Sequence, residues 1–130
     1  MKKKLLSILI PSLFIVSCKN EAIIIGDQQK NEKCNASAGY QWSTIKKDCI
    51  RVFEQEIQLR SIQKEPMEKI CALIFSNDSN QVEVFLDKTI ILTKKSSSEY
   101  IDSSKTSSYL LKKTGGKWQV YNDNQLLFTE

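Results

Sequence analysis

Short runs of β-branched and aromatic residues dominate the second half of the chain. They are separated by segments rich in Asn, Asp, Ser and Gly, such as residues 77–80, 115–116 and 122–124, which favour tight turns. Such an alternation predicts short strands joined by hairpins. The six predicted strands cover residues 70–75, 82–86, 89–93, 109–112, 118–121 and 126–129. Their close spacing indicates an antiparallel meander.

The predicted strand at residues 82–86 has two distinct faces. Val82 and Val84 alternate with Glu83 and Phe85, so we expect the valine face to point inward and the other face to be mostly solvated. Two further predicted strand segments, residues 50–53 and 57–62, lie earlier in the chain.

Residues 43–49 predict a short helix with Ser43 near its cap. Trp42, Ile45 and Cys49 lie at positions i, i+3 and i+7, and a helix would place them on one face. That face would carry the Trp42 ring toward the core.

The segment 94–108 is rich in serine and lysine and is the longest predicted loop. A loop carried on a sheet is a natural place for a binding function, and residues 96–108 are the candidate segment. A mobile, solvated loop explains the same composition, and this alternative stays open.

The N-terminus has the layout of an export signal. Three lysines precede an apolar run of 12 residues, 5–16, which is shorter than the ~20 apolar residues that a membrane-spanning helix needs. Residues 1–17 are therefore predicted to be a cleavable signal peptide.

The end of this signal, Ile15-Val16-Ser17-Cys18, resembles the lipobox of bacterial lipoproteins. The resemblance implies cleavage after Ser17 and acyl chains on Cys18, which would anchor the chain to a membrane of the cell envelope, with the outer membrane expected. The alternative is an ordinary secretory signal with an incidental cysteine. Residues 18–33 then predict a flexible tether, and residues 34–130 a single β-rich domain.

Removal of the signal changes the charge of the chain. The full chain has a net charge of +4, but residues 18–130 hold 16 bases and 15 acids, so bulk charge gives little support for nucleic-acid binding. The remaining charge is uneven, with eight acids and four bases in residues 48–87 and seven bases and two acids in residues 88–117. A folded domain could therefore present faces of opposite sign, although an ordinary solvated surface is the commoner meaning of such charge runs.

Three cysteines remain once Cys18 is set aside. A disulfide between Cys34 and Cys49 would close a loop of 15 residues, and a bridge of that span contributes about 3 kcal/mol. Cys71 lies in an apolar run and is expected to be a buried free thiol. A dimer through Cys71, or a disulfide that uses it in place of Cys34, is the alternative.

The composition argues against an enzyme. The chain has no histidine, which removes the commonest general base, the commonest zinc ligand and the histidine-dependent triads. The four glycines form no phosphate-binding loop, and nothing predicts a pocket that separates the pKa values of paired carboxylates. We therefore expect no catalytic residue, no metal and no cofactor.

A segment that includes Cys34, Trp42 and Cys49 resembles a motif near the N-terminus of uncharacterised lipoproteins of the Bacteroidota. The residues that carry the resemblance are 34–43, 46–51 and 53–54. This resemblance implies no activity. The motif is expected to form a disulfide-closed cap on the sheet.

From Cys71 onward, the order of parts is similar to that of the MliC-type lysozyme inhibitors: strand 82–86, the hairpin to residues 90–92, a serine-rich loop ending in Tyr100, strand 109–112 and the last two strands. The resemblance implies a small β-barrel lipoprotein that blocks the cleft of C-type lysozyme. In that family, a serine before the tyrosine and a lysine after the next strand contact the lysozyme's catalytic acids. The matching positions are Ser98 and Lys113, with Tyr100 in the same loop.

The chain departs from this family in two places. The family's serine-glycine motif is replaced by residues 96–100, so that Glu99 would bring a negative charge toward the carboxylates of lysozyme. The family's C-terminal cysteine is absent, which leaves Cys71 without that partner.

The fold expected from the sequence is all-β, a small antiparallel barrel or curved sheet with a short disulfide-linked helical cap at its N-terminus. The expected function is that of a lipid-anchored binding protein whose partner is lysozyme or another envelope protein. A structural or accessory envelope lipoprotein without catalytic activity is the alternative.

Overall fold

The computed structural model describes residues 34–130. Their regular elements are ten strands and two short 3-10 turns, the latter at Ala36–Ala38 and Val52–Glu54. The strands are β1 (Tyr40–Ser43), β2 (Asp48–Arg51), β3 (Ile57–Ser61), β4 (Ile70–Phe75), β5 (Gln81–Phe85), β6 (Thr89–Ser96), β7 (Glu99–Ile101), β8 (Tyr109–Thr114), β9 (Lys117–Asn122) and β10 (Gln125–Thr129).

Strands β3 to β10 form a closed antiparallel barrel of eight strands. Each strand pairs with the next in sequence, and β10 returns to pair with β3 through Phe128 opposite Ser61 and Thr129 opposite Arg60. Of the two architectures that the sequence allowed, a barrel or a curved sheet, the barrel is the one observed. Closure removes the unpaired edges that a short open sheet would expose.

The barrel is filled by one side chain in two along each strand, as the pleat requires. This interior cluster is almost entirely inaccessible to solvent and consists of Leu59, Cys71, Leu73, Val82, Val84, Leu92, Tyr100, Leu111, Val120 and Phe128. The barrel is therefore a packed core and not an open channel.

All six strands predicted in the second half are present, with ends that differ by three residues or fewer. The predicted loop at residues 94–108 is wrong in its first half, because β6 continues to Ser96 and residues 99–101 form β7. The turn between these strands needs only Ser97 and Ser98. The sequence did not predict β7, because Tyr100 and Ile101 are its only apolar residues and the segment around them is rich in serine.

The helix predicted at residues 43–49 is also wrong, because this segment belongs to the β1–β2 hairpin. Trp42 and Cys49 are register partners across the hairpin, so their shared face arises from strand pairing. Lys47 has φ 54° and closes the turn in the left-handed region. The disulfide predicted between Cys34 and Cys49 is confirmed and ties the start of the described chain to β2.

The hairpin packs against the outside of the barrel, over β4 and β5. Ile50 of β2 meets Ala72, Ile74 and Phe85 in a second apolar cluster, which lies outside the barrel wall. The expectation that the outer face of β5 is mostly solvated is therefore wrong, since Glu83 and Phe85 are both fully buried.

Glu83 fastens the hairpin to the barrel. Its carboxylate accepts hydrogen bonds from the Ser43 hydroxyl at 2.6 Å and from the backbone N–H groups of Thr44 at 2.9 Å and Ile45 at 3.3 Å. Hydrogen bonds to a charged group contribute about 1.5–3 kcal/mol each, and leaving a buried carboxylate without them is costly. The turn of the hairpin thus supplies the partners that the buried acid needs.

Replacing Glu83 with glutamine should lower the free energy of unfolding by about 1–3 kcal/mol, because the amide has the same shape but loses one acceptor oxygen that holds the hairpin. Urea denaturation followed by tryptophan fluorescence measures the change. The matched substitution at the exposed Glu56 should change the free energy of unfolding by less than about 0.5 kcal/mol. An equal loss in both variants would contradict the role assigned to Glu83.

Candidate functional site

An up-and-down barrel gathers alternate turns at the same end. The turns at residues 76–80, 97–98 and 115–116, together with Glu130, lie at one end, which we call the Ser98 end. The connections at residues 62–69, 86–88, 102–108 and 123–124 lie at the opposite end, which we call the Tyr109 end. The predicted binding segment 96–108 is therefore not one loop, because β7 carries the chain from the first end toward the second.

The Ser98 end brings Ser98 and Lys113 together. The backbone N–H of Lys113 donates to the carbonyl of Ser98 at 2.8 Å, which extends the pairing of β7 with β8 to the edge of the barrel. Two residues that are far apart in sequence thus lie side by side, with their geometry fixed by the strand ladder.

Tyr100 lies inside the barrel, and the residue is only 3% exposed. Its hydroxyl donates to the carbonyl of Ser79 at 2.8 Å, and burial raises the pKa of the phenol. The structure therefore does not offer Tyr100 to a partner at the surface, in contrast to its predicted place in an exposed loop. Its contact with Ser79 instead fixes the neighbouring turn.

Tyr100 belongs to a cluster of three rings that fills the Ser98 end of the barrel. Phe75 lies 5.5 Å from Tyr100 and 5.2 Å from Trp118, measured between ring centroids, and Tyr100 lies 5.9 Å from Trp118. Tilted and edge-on contacts of this kind stabilise a cluster beyond the area it buries. We call these three residues the aromatic plug.

Lys113 places a positive charge above the aromatic plug. Its ammonium lies 5.2 Å from the centroid of the Trp118 ring, and the two residues are register partners in β8 and β9. A cation over an indole face is attracted by the ring quadrupole. The side chain is exposed, so the charge remains accessible to a partner.

Glu99 does not face the plug, since it is a neighbour of the inward-pointing Tyr100 and so points to the outside of the barrel. Lys112 lies 3.7 Å and Lys95 3.8 Å from its carboxylate. These two ion pairs offset the negative charge that the sequence places in this turn.

The loop at residues 102–108 has its own internal order. Asp102 accepts hydrogen bonds from Ser104, Thr106 and Ser107, and these bonds hold the pKa of its carboxyl well below its usual range. Such side-chain bonds are typical of turns. This loop lies at the Tyr109 end, away from Ser98 and Lys113.

The Tyr109 end carries a half-open pocket of about 910 Å³, which the sequence did not predict. Its lining comes from four separate parts of the chain: residues 61–69, residues 86–88, Tyr109 and residues 125–128. In the sequence, the apolar residues Ile62 and Met67 are the feature closest to a signal for this pocket, and the structure leaves both exposed. Only closure of the barrel, however, brings the four lining segments together.

No family model, curated protein or solved structure matches the chain. Within residues 34–130, no helix has the length and apolar character required to cross a membrane. The same residues contain no group of three acidic, cysteine or histidine side chains arranged to hold a metal ion. Cys18 and the rest of the predicted signal and tether lie outside the described residues.

Cys71 is a buried free thiol in the barrel interior. Desolvation raises its pKa to about 12, so the thiol is protonated at neutral pH. The thiolate is the nucleophilic form of cysteine, and this environment suppresses it. Cys71 therefore contributes to packing.

In the chain from residue 18 with Cys18→Ser, Cys71 is the one cysteine outside the disulfide. Iodoacetamide at about pH 8 should leave the native protein unmodified, because both burial and the raised pKa suppress the reaction. In urea, one cysteine should be alkylated, as intact mass spectrometry would show. Modification of the native protein at the denatured rate would contradict the buried, protonated state.

Proposed function

We propose that this chain is an exported, lipid-anchored envelope protein that binds and inhibits C-type lysozyme through the Ser98 end of its barrel. The observation that carries the proposal is the hydrogen bond from the backbone N–H of Lys113 to the carbonyl of Ser98, at 2.8 Å. It places side by side the two positions to which the inhibitor resemblance assigns contacts with lysozyme. The alternative is an accessory envelope protein without a ligand of its own.

The positive charge of Lys113 suits a partner with an acidic cleft. Two carboxyl groups flank the scissile bond in lysozyme, and an exposed lysine is the complement of such a cleft. Lys113 forms no ion pair with any residue in the described part of the chain. Its charge is therefore available to the carboxyl groups of the partner, while Glu99 is already paired.

The Ser98 end is also well ordered by its own contacts. Tyr100 of the aromatic plug holds the turn at residues 76–80 through its hydrogen bond to the Ser79 carbonyl, and the strand ladder fixes the backbone of Lys113 against that of Ser98. A binding surface that is already held in place loses less entropy when the complex forms. This favours recognition by a preformed hairpin tip over recognition by a mobile loop.

The anchor is proposed from the sequence alone. Acyl chains on Cys18 would hold the protein on the outer membrane, and the 16 residues from 18 to 33 can span about 50 Å when extended. A tether of that length would allow the barrel to turn its Ser98 end toward a soluble lysozyme.

The inhibitor proposal is tested with the chain from residue 18 carrying Cys18→Ser, in a turbidity assay of C-type lysozyme. The unsubstituted barrel should inhibit lysis. The double variant Ser98→Ala with Lys113→Gln should raise the inhibition constant by about 10- to 100-fold, as expected for central interface residues.

Lys105→Gln is the matched control, because this lysine lies in the exposed loop at the opposite end of the barrel. It should leave inhibition unchanged. Absence of inhibition by the unsubstituted chain would exclude the inhibitor role, and co-purification of a stable envelope partner would then favour the accessory role.

The anchor is tested by metabolic labelling with a clickable fatty acid. The native chain should become labelled and fractionate with membranes, whereas Cys18→Ala should remain unlabelled, because the thiol is the attachment point for lipid. An unmodified Cys18, or a product that retains residues 1–17, would contradict the lipoprotein assignment.

A further inference from the structure

We propose that the pocket at the Tyr109 end binds a free amphiphile with a single acyl chain and an anionic head group. This site shares no residue with the Ser98 end, so the proposal is independent of lysozyme inhibition. The pocket volume of about 910 Å³ lies within the range of small-molecule sites, which is roughly 300–1,000 Å³.

The floor of the pocket is apolar and continuous with the barrel core. Leu86, Tyr109, Leu127 and Phe128 line the pocket, and each also belongs to or packs against the interior cluster. The core beneath them is filled, so a ligand lies across the mouth of the barrel and does not enter its axis. An acyl chain in this position would cover apolar surface that is otherwise in contact with water.

The loop at residues 62–69 forms another part of the pocket lining. Met67 is 70% exposed and Ile62 is 48% exposed, although both line the pocket. Large apolar side chains left open around a concave site are typical of ligand-binding surfaces. They are the groups that would close against an acyl chain.

The base of this loop is fixed by Ser61, so the pocket is formed before any ligand binds. The Ser61 hydroxyl donates to the carbonyl of Gln63 at 2.6 Å and accepts from the backbone N–H of Lys69 at 2.9 Å. The backbone N–H of Ser61 also donates to the carbonyl of Lys69 at 2.9 Å. The β10 strand has a register irregularity between Leu126 and Phe128, and both residues line the pocket.

Four charged residues line the pocket, and the position of Lys88 beside the pocket floor indicates the sign of the head group. Lys69 and Asp87 form an ion pair at 2.9 Å and offset each other. Lys88 lies 5.6 Å from the centroid of Tyr109 on the pocket floor and forms no ion pair with another described residue. Its ammonium is therefore positioned to meet an anion whose chain lies over Tyr109. Glu65, on the exposed loop, is the group that a cationic head would have to use.

The experiment uses the chain from residue 18 with Cys18→Ser and a series of straight-chain carboxylates with eight, ten and twelve carbons, each below its aggregation concentration. Calorimetry should show saturable binding that tightens by about two- to fourfold for each added methylene. Amide shifts in an NMR spectrum should change at residues 62–69 and 125–128 and remain unchanged at residues 97–98.

The head group is tested by two further ligands of twelve carbons. The neutral alcohol should bind about tenfold more weakly than the carboxylate, and the quaternary ammonium compound should bind more weakly still. Lys88→Gln should remove the preference for the carboxylate over the alcohol without changing the affinity for the alcohol. Lys105→Gln should retain the preference, and the melting temperatures of both variants should match that of the parent.

Met67→Glu provides a second variant, because an exposed position tolerates the change while a negative charge in the apolar lining should weaken the binding of every carboxylate of the series. Absence of saturable binding would overturn the proposal, as would equal affinity for the ammonium compound or shifts confined to the Ser98 end. Binding to phosphatidylglycerol vesicles without binding to the free carboxylates would also overturn it, because the site would then be a membrane contact.

Discussion

Pairing of β10 with β3 is the constraint on which the rest of the structure depends. This seam is short, with two register pairs, and one further hydrogen bond from the backbone N–H of Ile62 to the carbonyl of Leu127 extends it by one step. Without it, the sheet would have two unpaired edges and its inner face would be open. With it, ten side chains from eight strands become a common interior.

Closure also creates an outer face that needs covering where it is apolar. Ala72, Ile74 and Phe85 point away from the interior, and the β1–β2 hairpin covers them. The buried carboxylate of Glu83 determines the position of the hairpin on this face, because the three groups that donate hydrogen bonds to it come from the turn of the hairpin. Apolar burial therefore supplies the attraction, and the hydrogen bonds to Glu83 set where the hairpin lies.

The two ends of the barrel differ because different side chains reach them. At the Ser98 end, Phe75, Tyr100 and Trp118 fill the mouth, and Lys113 lies above the filled surface. At the Tyr109 end, Leu86, Tyr109 and Leu127 leave a recess that the loop at residues 62–69 only partly encloses. A filled end suits contact with a macromolecule, whereas a recessed end suits a small ligand.

Local pattern was enough to determine most of the strands and the disulfide. Turn residues and β-branched runs located β4, β5, β6, β8, β9 and β10, and the span from Cys34 to Cys49 indicated the bridge. The helix at residues 43–49 was predicted wrongly because the spacing of Trp42 and Cys49 fits two structures. The two residues share a face in a helix, and they also share a face as register partners across a hairpin. The three residues of β7 were too few to predict a strand.

Only the tertiary structure decided what covers each face and what meets at each end. The alternation of side chains along a strand assigns Val84 and Glu83 to opposite faces of the sheet, but it contains no information about the hairpin that buries Glu83. The inhibitor resemblance singled out Ser98 and Lys113, yet their contact, the inward turn of Tyr100 and the pocket beside Lys88 follow from strand order and closure. Such contacts join residues distant in sequence, so no local pattern encodes them.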